Sequence, residues 1–442
     1  MRPRLRYLLI AAALALLAAT GVLVWHAGAL PEPGSTTLET TTTSTTRRPT
    51  PPTTVPYRAS GLEAGGAADE QSHLGQVTGP TRITIAAVGD IMVHDPQIPA
   101  ALDPATGLYD FFPSFAPIAP YLKGADYAIG NFETRTAGAA RGYSGFPAFN
   151  SPDAIAKAVK DSGIDLVGTA NNHSLDMDYD GLATTLDVLD GFNLSHVGTY
   201  RSAAEQKKPF IATIQGVKVA FLNYTQDTNG SSRPTDKPWS LNLLGDGSAC
   251  IAEAKAAREQ GADLVVAFLH WGREYERAPD SSQRTTGTRL LQNGVDVIIG
   301  AHPHVVQPIE RLTVDRGGKP FEAYVAYSLG NFLSNQREQY QDSGIILYLD
   351  IEKGADGTRV TGVRYLPTYV EKQPVGDGNQ WRVLPVHPDV QPVTDVPLNA
   401  ESLARMTGVW QELTSLLGNP ASHVTAFSAA DVAAVTEPPP RP

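Results

Sequence analysis

Leu264-Val265-Val266-Ala267-Phe268-Leu269-His270-Trp271-Gly272 and Val295-Asp296-Val297-Ile298-Ile299-Gly300-Ala301-His302-Pro303-His304 decide how this chain folds. Each begins as a short apolar run, as expected of a strand buried on both faces. The first run stops at His270, and the second stops at Gly300, just ahead of His302 and His304. Side chains just past two strand ends point into one crevice at the carboxyl edge of a sheet, where open α/β sheets bind ligands. Neutral imidazole is the commonest metal ligand. A lone histidine reads as a satisfied core residue. Three at two successive strand ends read as ligands.

The same pattern recurs on either side. An apolar run over residues 82–88 ends in Gly89-Asp90-Ile91-Met92, and one over 127–129 ends in Gly130-Asn131-Phe132-Glu133. Residues 166–169 lead into Ala170-Asn171-Asn172-His173, and residues 324–328 into Leu329-Gly330-Asn331-Phe332. Between them, helices are expected over 113–122, over 181–189, and from Ser151-Pro152-Asp153 to 162, with Ser as cap and Pro in the first turn. Hairpins are expected across 210–223 and across 345–366, the latter turning at Gly354 and Gly357. Alternating strands and helices predict an α/β domain. Asp90, Glu133, Asn172, His173, His270, His302 and His304 then share one edge of it.

The whole chain sets bounds on its function. It has 442 residues, 42% of them hydrophobic, and a formal net charge of -11. That charge argues against a nucleic-acid partner. Cys250 is the only cysteine, which rules out an intrachain disulfide and a thiolate zinc cluster. Arg2, Arg4 and Arg6 precede an uncharged, largely apolar run over residues 8–24. This reads as an uncleaved membrane anchor with the remainder outside the cell, and a cleaved signal peptide is the alternative. The Thr/Pro tract over residues 39–56 reads as a disordered stalk. The expected organisation is an anchor (1–30), a linker (31–80), the α/β domain (81–370) and a Pro-rich C-terminal extension (371–442).

Two carboxylates, an amide and three imidazoles suit Mn, Fe or Zn better than a soft metal. Asp176, Asp178, Asp180 and Asp187 imitate part of a calcium loop, but the last lies in an apolar-periodic helix. The blander reading has Asp180 capping that helix. Trp271 and Tyr275 read equally as pocket wall or core, and Arg141 and Arg273 as solvated arginines.

The clusters quoted above, with Ser174-Leu175-Asp176 and Arg273-Glu274-Tyr275 added, resemble the CapA family in order over about residues 83–369. That family is implicated in poly-γ-glutamate and capsule synthesis, and it resembles the calcineurin-like metallophosphoesterases. The resemblance implies a two-sheet αββα sandwich with an N-terminal anchor. It also implies a ligand set. One position would use Asp90, Glu133 and His304, and the other Glu133, Asn172, His270 and His302. His173 would be the acid that protonates a leaving group, oriented by Asp176. Met92 stands where the metallophosphoesterases carry a histidine ligand. One firm ion and one weak or absent ion follow from that change, with His94 a poor substitute. Two functions remain open. One is a metal-dependent hydrolase acting on an anionic polymer or phosphoester. The other is a non-catalytic, polymer-binding subunit working with the subunits of a polymer synthase.

Overall fold

The computed structural model describes residues 79–436. Its first strands are β1 (Thr81–Ile91), β2 (Leu102–Asp103), β3 (Leu108–Tyr109), β4 (Tyr127–Phe132), β5 (Leu166–Gly168) and β6 (Ser195–Val197). Then come β7 (Phe210–Ile214), β8 (Val217–Thr225), β9 (Leu264–His270), β10 (Val297–Ala301), β11 (Ile309–Asp315) and β12 (Pro320–Ala326). The last are β13 (Asn331–Leu333), β14 (Ser343–Gly354), β15 (Gly357–Val375), β16 (Gly378–Pro385) and β17 (Val424–Ala426).

Two large sheets result, with β2 and β3 forming a small ribbon apart. One sheet runs β16-β15-β14-β1-β4-β5-β6, with β13 beside β1 and β17 beside β15. The other runs β11-β12-β10-β9-β8-β7. β1, β4, β5 and β6 are mutually parallel, as are β8, β9, β10 and β12. Parallel neighbours need crossovers. The helices Ala154–Asp161 and Asp178–Gly191 supply them in the first sheet, and Ser248–Glu259 and Ser281–Gln292 in the second.

Side-chain alternation along the strands sorts the core into three layers. Ile83, Ile85 and Ala87 of β1 meet Val219 and Phe221 of β8 and Val266 and Phe268 of β9 between the sheets. Ala86 and Val88 face outward onto Ile155, Val159, Leu182 and Leu186. Val265, Ala267 and Leu269 of β9 face the other way, onto Cys250, Ala254, Ala257 and Leu290. This is an α/β two-sheet sandwich with helices on both outer faces, as the resemblance implied.

Several expectations need correction. Residue 370 is no domain boundary, because β15 continues through it and pairs with β16. The helix Ala400–Leu417 then sends Met406, Val409, Leu413 and Leu417 into the layer between the sheets. β17 extends the first sheet, and Phe427 and Val432 seal its outer layer. The prolines that suggested an extension lie largely at strand ends and connections. Ser151 is not the cap of its helix, which begins after Asp153. The helix expected over 113–122 is two short ones, Phe112–Phe115 and Ala119–Lys123. The expected anchor and the Thr/Pro stalk lie outside the described residues. Among the described residues, no helix is long and apolar enough to cross a membrane.

Candidate metal centre

Because the central strands are parallel in both sheets, their carboxyl ends lie along one edge. Glycine allows close approach there: a Cβ on Gly89 would collide with the backbone of Gly330, and one on Gly300 with that of Tyr327. β13 can therefore lie directly against the end of β1, with Asp90 opposite Asn331. The helix Ser281–Gln292 starts with a capping box, Asp280 and Gln283 each bonding the other's backbone N–H. Gln283 then reaches Gln307 at 3.0 Å, tying the chain after β9 to the chain after β10.

All six expected ligands converge, and all are buried. His304 Nδ1 lies 3.0 Å from Asp90 Oδ2, and its Nε2 lies 4.0 Å from Glu133 Oε1. His270 Nε2 lies 3.5 Å from Glu133 Oε1 and 3.0 Å from Asn172 Oδ1. The rings of His270 and His302 are 4.6 Å apart. At the centre sits Asn131, whose amide donates to Asp90 Oδ1 at 2.7 Å and Glu133 Oε2 at 3.2 Å. The same amide nitrogen lies 3.2 Å from His270 Nδ1.

Burial, and then the neighbouring Asp90, push the Glu133 carboxyl well above its ordinary range. Burial, and then the charges His302 and His304 would carry, hold His270 well below its own. Glu133 Oε1 and His302 Nδ1 are buried without any hydrogen-bond partner. A buried carboxylate is stable only if paired or bound to a cation. Arg135 is fully buried nearby, but its Nη2 is spent on the carbonyl of Phe132 at 2.7 Å. Among the described residues three groups bring their donor atoms within 4.8 Å of one another: Asp90 with Glu133 and His304, Glu133 with His270 and His302, and Glu274 with His302 and His304. The first two are the sets the resemblance implied, lacking only the amide of Asn172. Carboxylate and imidazole donors with orphaned atoms fit a divalent cation.

His173 stands beside this cluster. Its Nδ1 is 2.8 Å from Asp176 Oδ2, which also accepts the Phe149 N–H at 2.7 Å. Its Nε2 faces the Asn229 amide at 3.4 Å, and the Phe149 ring packs edge-on at 4.6 Å. Asp176 is thereby committed to His173. Asp180 lies within the helix Asp178–Gly191 instead of capping it, and Asp187 pairs with Arg201 at 2.7 Å. The calcium-loop imitation does not converge. Met92 is buried, with its N–H donated to Leu333 O at 2.8 Å. His94 accepts the Asn335 N–H at 3.2 Å and falls in none of the three groups. Burial, and then His304, lower its pKa to about 4. Trp271 is core, its Nε1 bonded to Tyr327 O at 3.0 Å, whereas Tyr275 is 49% exposed. Arg141 and Arg273 each stand beside a carboxylate, Asp178 at 4.0 Å and Asp280 at 3.7 Å.

Asn229, Asn331, Arg135 and Glu274 carry no role legible in the sequence. Asn331 and Glu274 sit inside the motif clusters, so position alone marks them. Asn229 comes from a loop with no local signal.

The family model described as bacterial capsule synthesis protein PGA_cap matches residues 84–336. The capsule biosynthesis protein CapA of Bacillus anthracis is 30% identical over 276 residues, 60% of this chain and 64% of that protein. The chain therefore spans slightly less than two thirds of that relative's length. The PGA biosynthesis protein CapA of Bacillus subtilis (strain 168) is 28% identical over 305 residues, 68% of this chain and 70% of that protein. The calcineurin-like phosphoesterase YfkN from Bacillus subtilis aligns with a TM-score of 0.37 and 15% identity, over 77% of this chain and 100% of that one. With more than half of its length matched by the family model, and with the motif residues drawn together at one sheet edge, the chain belongs to the bacterial capsule synthesis protein PGA_cap family.

Proposed function

We propose that this protein is a divalent-cation-dependent hydrolase that processes a capsular anionic polymer of the poly-γ-glutamate type. One observation carries the reading: a buried carboxylate–imidazole cluster with orphaned Glu133 Oε1 and His302 Nδ1 lies beside an oriented His173–Asp176 pair. The relatives' names, capsule and PGA biosynthesis proteins, support the polymer class. Asp90, Glu133 and His304 would hold one ion, and Glu133, Asn172, His270 and His302 the firmer one. A bound divalent cation supplies Lewis-acid activation of water and of an oxyanion. The chain itself does the rest. Asp176 fixes the His173 ring through Nδ1 and leaves Nε2 to hold a proton for a departing group. Phe149 shields that ring from water on one side.

The reading includes an extracytoplasmic location, with residues 8–24 as the anchor, supported by the uncharged run behind Arg2, Arg4 and Arg6. Protease added to intact cells should then release the folded domain.

The decisive experiment is His173→Gln. It should leave bound metal and stability unchanged and reduce turnover about 10²–10⁴-fold. The loss should be greatest on substrates with poor leaving groups, among polyglutamate and aryl phosphodiesters. Equal activity on poor leaving groups would remove the acid role. Met92 favours a second reading, a polymer-binding subunit without catalysis, because a buried thioether is a poor ligand for a hard ion. A metal-loaded protein inactive on every ester and amide, yet retaining anionic polymer on a column, would establish that alternative.

A further inference from the structure

Glu274 belongs to neither ion position implied by the family resemblance, yet one of its carboxylate oxygens and one ring nitrogen each of His302 and His304 lie within 4.8 Å of one another. Its own exposure would ordinarily mark it as a solvated side chain. Three observations argue otherwise.

First, the histidines it meets are buried, and His302, only 7% exposed, has an Nδ1 with no hydrogen-bond partner. Second, the loop that carries Glu274 is fastened to the loop that carries the histidines: Trp271 N–H donates to Ala301 O at 3.1 Å and Tyr275 N–H to Pro303 O at 2.8 Å. The neighbouring Arg273 turns away to Asp280, so it does not neutralise Glu274 from the adjacent position. Third, the backbone is strained on both sides of the contact. Tyr275 has φ 68°, His302 φ 100° and His304 φ 58°, in the left-handed region that bulky residues avoid. Such conformations persist only where the surroundings over-determine them, and they cluster at functional sites.

His304 belongs to the trio with Asp90 and Glu133, and His302 to the trio with Glu133 and His270. Buried Glu133 shares a group with each histidine, and exposed Glu274 shares one with both. We propose that Glu274 is a metal ligand: through His304, which it shares with Asp90 and Glu133, and with His302 it completes the weak ion position, standing in for the imidazole that Met92 does not supply. The inference rests on the metal-binding reading above. One carboxylate with two imidazoles is a hard-to-borderline set, suited to Mn²⁺ or Zn²⁺.

The test is titration of the full chain with Mn²⁺ alone, reading free Mn²⁺ by electron paramagnetic resonance. The parent should show a tight and a weak class of ion. Glu274→Gln should weaken the second class at least about tenfold, since even residues that merely support a ligand cost 10–100-fold. The tight class should stay unchanged. Glu274→Asp should fall between, and Met92→His placed on Glu274→Gln should restore the weak class. Circular dichroism checks that each variant is folded. If Glu274→Gln titrates like the parent while His270→Ala loses the tight ion, the role of Glu274 is overturned and the metal reading stands. If Glu274→Gln abolishes both classes, Glu274 is no stand-in and the proposal is likewise overturned. If the parent binds no Mn²⁺, both fall together.

Discussion

Two clusters of buried charge, one at the sheet edge and one near the C-terminal end, show opposite solutions to the same physical problem. In the second, Arg382 and Glu371 are both fully buried between β15 and β16. Arg382 Nε donates to Glu371 Oε2 at 2.7 Å, Nη2 to Gln373 Oε1 at 2.9 Å and Nη1 to Val396 O at 2.7 Å. One buried anion meets one buried cation, and the guanidinium is saturated. At the sheet edge two buried carboxylates, Asp90 and Glu133, face three imidazoles, while Arg135 is turned to a backbone carbonyl. Each cluster has one orphan carboxylate oxygen, Glu371 Oε1 and Glu133 Oε1. That oxygen alone therefore does not separate them, and the sheet edge leaves His302 Nδ1 unpartnered as well. Charge balance does. The first is finished by the chain itself, and the second, on the reading proposed above, by a bound cation.

That contrast can be broken by removing the finished partner. Arg382→Met leaves Glu371 buried and alone, and should cost about 3–5 kcal/mol in urea unfolding. Adding Glu371→Met should recover most of it. A single variant as stable as the parent would mean that Arg382 balances nothing.

A half-finished case sharpens it. Glu253 has only a phenol for a partner, Tyr224 Oη donating to Oε2 at 2.7 Å, and burial raises its pKa from the ordinary 4.5 to about 7. The folded state thus keeps a proton that the unfolded chain releases. Stability from this group is complete below pH 4.5 and is lost as pH rises to about 7. Glu253→Gln should remove that slope and gain up to about 3 kcal/mol at pH 8. The check is thermal unfolding of both proteins at pH 5 and pH 8, and an equal gap at both would refute it.

The smallest effect is expected at the open cluster. In chelator, Glu133→Gln should stabilise the protein by about 1–3 kcal/mol, because it removes a buried carboxylate with an orphaned oxygen. Adding Mn²⁺ should stabilise the parent, through binding to the folded state alone, and leave the variant nearly unaffected. If the variant is the less stable in chelator, the cluster is structural.

Much of this was legible in the sequence because strands buried on both faces are written as unbroken apolar runs, and each run here is followed at once by polar residues. Asp90, Glu133, Asn172, His270, His302 and His304 needed only that rule to be placed on one edge, and their grouping into two sets came from the resemblance. Glu274 was not legible. Its direction depends on the left-handed turn at Tyr275 and on a bond to Pro303, both set by tertiary contact. Asn229 reaches His173 from the chain beyond β8, and no local pattern encodes that approach. The C-terminal closure was hidden for a different reason. Its apolar residues are spaced between prolines, so composition suggested a tail where Trp381, Val383 and Leu384 in fact complete the core.

β1 has a directional consequence. The described chain approaches it through Pro80 and enters at Thr81, beside the tip of the β14–β15 hairpin where Gly354 meets Gly357, and β1 delivers Asp90 at its other end. Eleven residues at about 3.3 Å each make β1 about 35 Å long. Thr81, where β1 begins, therefore lies at the end of the strand away from Asp90 and the histidines. A tether at Thr81 and an opening at Asp90 are therefore held apart by the length of one strand.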